Sequence, residues 1–193
     1  MISEALQYTS KTLNQFLKNK FGLSDSIVVV NKVIAQNGTV PIENSNKVIL
    51  SLIHVEQETT KSFYRKNVQM DDGNYENKPL DERYNLYLLV TPNFEDYNEA
   101  LKFLNSAIQF FQINGVMNSS TSSVIPKGIK RLEFEFEKGD GYLQMHNLWS
   151  ALGAKYQPSI IYKLRLITIA SDEVKGFDKS VIATSNKLIS GDE

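Results

Sequence analysis

Three observations predict an α/β chain of the α+β sandwich kind, with one mixed β-sheet and helices packed mainly on one face. Strand-length runs rich in β-branched residues alternate with helical patterns in the order α-β-β-β-α-β-α-β. Two of the runs, KVILSLIHVEQE (47–58) and YNLYLLVTP (84–92), are apolar at successive positions, as strands in the middle of a sheet are. Residues 93–114 keep helical spacing through Tyr97, Ala100, Leu101, Leu104, Ala107, Ile108 and Phe111.

Each element has its own justification. Residues 2–20 form an amphipathic helix with Ile2, Leu6, Leu13, Phe16 and Leu17 near one face. Lys18 and Lys20 suit its C-terminus, and Gly22 stops it. SIVVVNKVIA (26–35) reads as a strand. QNGTVPIENSN (36–46) carries an Asn-Gly turn signal and a proline, so it is a loop or a wide hairpin connection. Residues 59–83 are polar and turn-rich, and form an exposed loop or ragged hairpin with its tip at Asp72-Gly73. Pro92 ends the third strand, and Asn93 caps the helix that follows, with Glu95 and Asp96 in its first turn. Phe103, Phe110 and Phe111 exceed what one helix face buries, which puts Phe103 or Phe110 near the edge of the stripe, against another element or another subunit, with core packing the default. Residues 116–128 are a Ser/Thr-rich loop closed by Pro126. IKRLEFEFEKG (129–139) alternates Leu132, Phe134 and Phe136 with Glu133, Glu135 and Glu137. YLQMHNLWSALG (142–153) is a short helix stopped by Gly153, and SIIYKLRLITIA (159–170) is a long strand. The chain is thus expected to be one domain over residues 1–170, followed by a polar tail, 171–193.

Composition narrows the function. The 193 residues carry 21 basic and 22 acidic side chains, a net charge of −1. Nucleic acids and anionic membranes select clustered lysine and arginine, so neither is an expected partner. There is no cysteine, which excludes disulfides, iron–sulfur clusters, thiolate zinc sites and cysteine nucleophiles. The N-terminus MISEALQYTSKTL has no basic region followed by an apolar core, so no secretory signal is expected, and no run is long enough for a membrane span. Synthesis in the cytoplasm is the expectation.

Chemistry is sparse. His54 and His146 have no carboxylate or second histidine at ligand spacing. No nucleophile sits on a glycine-flanked turn, and no glycine-rich loop follows a strand. DDGNYE (71–76) lacks the frame of a calcium loop. No catalytic residue, cofactor site or metal site is expected. A hydrolase or ligand-binding domain would have to use Asp71, Asp72 and the Glu133 row. The row Glu133, Glu135, Glu137 reads as a solvated strand face, or as one that meets a basic neighbour in an oligomer. Trp149 suits a core anchor and an interface anchor equally.

The segment NLWSALGAKYQPSIIYKLRLI (147–167) resembles the C-terminal signature of the tail-terminator, or cap, proteins of extracellular contractile injection systems. These are phage-tail-like particles typified by the antifeeding prophage and the Photorhabdus virulence cassettes. Further matches run in order: MISEALQYTSKTLN, SNKVILSLIHVEQE (45–58), NLYLLVTPNFEDYNEALKFLNSAIQFFQ (85–112), and Pro126-Lys127-Gly128-Ile129. They span roughly residues 1–170. The last 23 residues and most of the loop 59–82 lie outside them. The resemblance implies a terminator-like fold and a mechanical role: a six-fold ring of the chain itself at the end of the particle away from the baseplate. There it would stop the inner tube protein and anchor the last layer of sheath protein, without cofactor or turnover. A neck, adaptor or baseplate-proximal component of such a particle is the alternative. Asn147, Trp149, Gly153, Lys155, Tyr156 and Pro158 match the signature. Asn147, Trp149, Lys155, Tyr156, Glu133, Glu135 and Glu137 are the candidate interface residues, with Lys155 suited to pair with a neighbour's carboxylate.

Overall fold

The computed structural model describes residues 1–58, 67–69, 75–77, 82–118, 125, 126, 129, 131–138, 142–169 and 176–178. The chain forms two compact units, one of Met1–Glu58 with Arg83–Ile169 and one of Thr59–Glu82 with Ala170–Glu193.

The first unit begins with α1 (Ile2–Phe21). Gly22 ends it at φ 65°, the left-handed conformation that glycine takes without a Cβ penalty, and the Gly22 and Leu23 N–H groups both reach the Lys18 carbonyl. The strands are β1 (Val28–Val30), β2 (Lys47–Gln57), β5 (Glu82–Asn93), β6 (Val116–Asn118), β7 (Arg131–Phe136) and β8 (Ile160–Ile169), in the spatial order β1-β2-β5-β8-β7-β6. β1 runs parallel to β2, while β2–β5, β6–β7 and β7–β8 are antiparallel, so the sheet is mixed as expected. β2 and β5 lie inside it, which is why both carry apolar residues on both faces.

One face carries α1 and α2 (Tyr97–Ile113), packed over Val48, Leu50, Leu86, Leu88, Val90, Leu132, Phe134 and Leu164. The other carries α3 (Tyr142–Ala151), whose Trp149 packs with Leu89 and Val33. Leu88, Leu89 and Val90 divide between the two cores because successive strand side chains point to opposite faces.

Several expectations change. Only Val28–Val30 of residues 26–35 pair as a strand, and Ile42–Asn44 form a turn of 3₁₀ helix. β5 continues through Pro92, which sits opposite Val48, to Asn93. The cap of α2 is Asp96 rather than Asn93, its carboxylate accepting from the Asn98 and Glu99 N–H groups at 2.7 and 3.0 Å. Val116–Asn118, within the expected Ser/Thr-rich loop, form the edge strand β6. The surplus of phenylalanines on α2 is met, as core packing requires, by another element: Phe103 and Phe110 are both buried under α1, with Phe21 and Phe103 at 5.0 Å and Phe16 and Phe110 at 5.6 Å between ring centroids.

The second unit contains β3 (Asn67–Gln69), β4 (Tyr75–Asn77) and β9 (Gly176–Asp178), ordered β3-β4-β9 and antiparallel throughout. Residues 59–83 thus hold a hairpin, and the segment expected to be a polar tail supplies its third strand. Asp71 and Asp72 lie outside the described residues, as does the rest of 171–193.

Candidate assembly surface

The resemblance segment folds as a corner. α3 ends at Gly153, φ 63°, where the Gly153 N–H reaches the Ser150 carbonyl and the Ala154 N–H the Trp149 carbonyl. Trp149 is 3% exposed, and its indole N–H has no acceptor among the described residues. Of the two readings the sequence left open, the ring itself takes the core role. Tyr156 meets the Trp149 ring edge at 6.1 Å yet is 68% exposed, so the buried tryptophan positions an accessible tyrosine. Asn147 and Lys155 are exposed, and Lys155 has no ion-pair partner among the described residues.

A line of polar side chains fixes this corner to the sheet. Gln157 Nε2 donates to Asn93 Oδ1 at 2.9 Å, and Asn93 Nδ2 donates to the Asn44 carbonyl at 2.9 Å. Asn44, fully buried, donates to the Lys32 carbonyl and accepts from Asn31 Nδ2, both at 2.9 Å. Thr91 Oγ1 reaches the Pro158 carbonyl at 3.3 Å. The loops before β2 and β8 and the end of β5 are thereby locked together. Sequence reasoning missed Asn44, Asn93 and Gln157. They are far apart in the chain, and no periodicity marks them.

The carboxylate row lies on β7, on the face that α3 occupies elsewhere. Glu133 stands opposite Arg165 and Glu135 opposite Lys163. Glu135 pairs with Arg165 at 3.2 Å, and Glu133 with Arg131 at 3.0 Å. Glu133 and Glu135 thus each meet a guanidinium of their own chain, which relieves the like-charge repulsion along the strand. Glu137 sits beyond the strand end, its N–H on the Ile161 carbonyl.

A second polar group crosses three strands on the same face. Glu56 accepts from the Tyr87 hydroxyl at 2.8 Å and from Lys163 Nζ at 3.2 Å. The tyrosine bond and then the lysine hold the Glu56 carboxyl below its ordinary range. Burial, then the carboxylate, pushes the Tyr87 hydroxyl up. Lys163 is raised because its bonds to Tyr87 and Glu56 outweigh the opposing effect of burial. The group ties β2, β5 and β8 together, and His54 lies 5.4 Å from the Tyr87 ring. Among the described residues no three His, Asp or Glu side chains gather as metal ligands, and no helix is long and apolar enough to cross a membrane.

These features describe an α+β module with an exposed corner tied to the sheet by hydrogen bonds and a polar face on which Glu56, Glu133 and Glu135 pair within the chain. The family described as the Pvc16 N-terminal domain matches residues 8–181, and the chain belongs to that family. The match takes in the insertion 59–82 and reaches beyond residue 170, wider than the sequence motifs alone. Among solved structures, the chain is similar to the sheath/tube terminator of the PVC extracellular contractile injection system in its extended state. The TM-score is 0.59 at 11% identity, covering 92% of this chain and 62% of that one. It is also similar to the tube-terminating cap of the anti-feeding prophage, with a TM-score of 0.54 at 14% identity, covering 92% and 59%. The chain thus spans about three fifths of the length of those terminators. No curated protein matches it in sequence.

Proposed function

We propose that this chain is a structural terminator: it caps the inner tube and anchors the last sheath layer of a phage-tail-like contractile injection particle. The observation that carries the reading is the family match over residues 8–181, in a chain whose fold is shared with a sheath/tube terminator. The chain assembles with copies of itself in a six-fold ring and with tube and sheath proteins, and it works without turnover. It is made in the cytoplasm and leaves the cell as part of the particle. The candidate contacts are those of the exposed corner, Asn147, Lys155 and Tyr156, with Glu133 and Glu135 on the neighbouring strand β7 and Glu137 just beyond its end. Trp149 acts from below by fixing Tyr156. The domain carrying the role is residues 1–170, extended by the β9 segment.

Electron microscopy of particles made without this chain tests the reading. Tubes of uncontrolled length, or sheaths detached at the end away from the baseplate, are expected; particles of normal length and sheath attachment would sink it. A gold label on the chain must appear at that distal end. A label near the baseplate would transfer the chain to the neck or adaptor alternative.

A further inference from the structure

The Asn-Gly pair that marks the turn after β1 carries chemistry as well as geometry. An asparagine followed by glycine loses its side-chain amide without an enzyme, because the glycine nitrogen, with no Cβ beside it, closes a five-membered imide on the neighbouring side chain. The chain contains two such pairs, Asn37-Gly38 and Asn114-Gly115, and the structure holds them differently. Asn37 and Gly38 are exposed in a tight turn, where the Ala35 N–H donates to the Thr39 carbonyl at 2.8 Å and the Gly38 N–H to the Ala35 carbonyl at 3.0 Å. Gly38 has φ 79°, and a Cβ there would meet nothing within 4 Å. The Asn37 side chain folds back over the Gly38 peptide as an Asx turn: its Oδ1 accepts from the Thr39 N–H at 3.1 Å and from the Thr39 hydroxyl at 2.8 Å. Asn114 is tied on both sides. Its Nδ2 donates to the Phe110 carbonyl at 2.9 Å, at the end of α2, and the Gly115 carbonyl accepts from the Phe134 N–H of β7 at 2.8 Å.

We propose that Asn37-Gly38 is a self-modification site, at which the folded chain converts asparagine to aspartate and isoaspartate with water as the co-reactant. The Gly38 N–H leaves the Ala35 carbonyl and gives its proton to hydroxide. The nitrogen then forms a bond to Asn37 Cγ, and the carbonyl electron pair moves onto Oδ1. Both Thr39 donors already reach that oxygen, so they stabilise the negative charge as it develops. The pair returns to the carbonyl, the Cγ–Nδ2 bond breaks, and Nδ2 takes a proton from water and leaves as ammonia, restoring the hydroxide. Water then opens the imide. Cleavage at Cγ gives aspartate in the original backbone. Cleavage at the main-chain carbonyl of residue 37 gives isoaspartate, which routes the backbone through the side chain and lengthens the turn that Ala35 and Thr39 close. Either product adds a negative charge to the loop that carries the exposed Val40 and Ile42. Asn114 keeps its amide, since ring closure there breaks the Phe110 bond and pulls Gly115 from its bond to β7.

Peptide mapping of the full chain tests this. The purified protein is incubated at mildly alkaline pH in heavy-oxygen water, then digested with trypsin in ordinary water. Cleavage after Lys32 and Lys47 isolates Asn37 in residues 33–47, and cleavage after Lys102 and Lys127 isolates Asn114 in residues 103–127. Fragment spectra assign the modified residue and separate aspartate from isoaspartate. Asn37 is expected to take up a heavy oxygen, with both products present and a rate that rises with pH. Asn114 is expected to convert at least about tenfold more slowly in the folded chain, and to draw level only in denaturant. Thr39→Val removes the hydroxyl donor and keeps the N–H; it is expected to slow Asn37 severalfold at an unchanged denaturant midpoint. An Asn37 that keeps its amide while the denatured chain converts, or equal rates at Asn37 and Asn114 in the folded chain, overturns the proposal. A rate indifferent to Thr39→Val overturns the part given to Thr39.

Discussion

The two faces of the central sheet are built on different principles. Under α1 and α2 the contact is aromatic: Phe21, Phe103 and Phe94 form one group of ring contacts, and Phe16, Phe110, Phe111, Phe134 and Tyr162 a second, with centroids 4.2 to 5.6 Å apart. Under α3 the core is a small group around Trp149, Leu89 and Val33, and the rest of that face is polar, with Glu56, Tyr87, Lys163, Glu135 and Arg165 tied across strands. The first face supplies burial, where stabilisation scales with the apolar area removed from water. The second supplies order at the surface, where exposed pairs add little stability but fix side-chain positions. The face that stabilises the fold and the corner that presents Lys155 and Tyr156 are therefore separable by mutation.

The largest effect expected is on the aromatic face. Phe110→Ala removes a fully buried ring and is expected to lower stability by about 3–5 kcal/mol, read as a drop in denaturant midpoint. A shift below about 1 kcal/mol would mean the α1–α2 contact does not organise the core. Asn44→Ala leaves the Asn31 amide and the Lys32 carbonyl without their side-chain partner, at a cost of about 1–3 kcal/mol, while the Asn93 bond to the residue 44 backbone carbonyl survives. Asn93→Ala, which removes the link between Gln157 and the Asn44 carbonyl, should loosen the corner, seen as faster proteolysis within residues 152–159. Asp96→Ala removes the α2 cap at a cost of about 1 kcal/mol, whereas Asn93→Ala leaves the helix terminus unchanged. Far-UV circular dichroism through the unfolding transition distinguishes the two.

The smallest effect sits on the polar face. Glu56 titrates below its ordinary value in the folded chain, so its contribution is present above the unfolded-state value and is lost as pH falls through the folded one. Lys163 is raised, so its contribution is present below the unfolded-state value and is lost as pH rises through the folded one. Glu56→Gln is thus expected to lower stability slightly at neutral pH, with the difference from wild type vanishing in acid. A difference that persists at low pH would show that shape, and not charge, is what Glu56 contributes.

Much of the fold was legible in the residues. The interior strands β2 and β5 announced themselves because both their faces are buried, and α1 because its stripe, its terminal lysines and Gly22 agree. β1 lies within the run 26–35 read as a strand, and β3 and β4 form the hairpin that was one of two readings of 59–83, but the short strands β6 and β9 were not legible. Three residues carry too little pattern, and each exists because a neighbour completes its hydrogen bonds: β9 pairs with a hairpin a hundred residues earlier in the chain. Asn93 was a reasonable cap by residue type, but β5 continues through it, and Asp96 takes the role at the true start of the helix. In the candidate site, Lys155 and Tyr156 came from the resemblance segment, while Asn44, Asn93 and Gln157 came only from the structure.

The sequence by itself determined that the chain is an α+β domain with no cysteine, no nucleic-acid charge pattern and a family signature across residues 147–167. Local periodicity and residue chemistry are sufficient for those statements. Only the tertiary structure decided which of the two apolar stripes on α2 is core, because α1 and the sheet together close over Phe103 and Phe110 and leave Tyr97 and Leu101 outside. It also turned the Glu133 and Glu135 side chains toward arginines of their own chain. Both outcomes depend on which elements become neighbours, and neither helical spacing nor strand alternation encodes that.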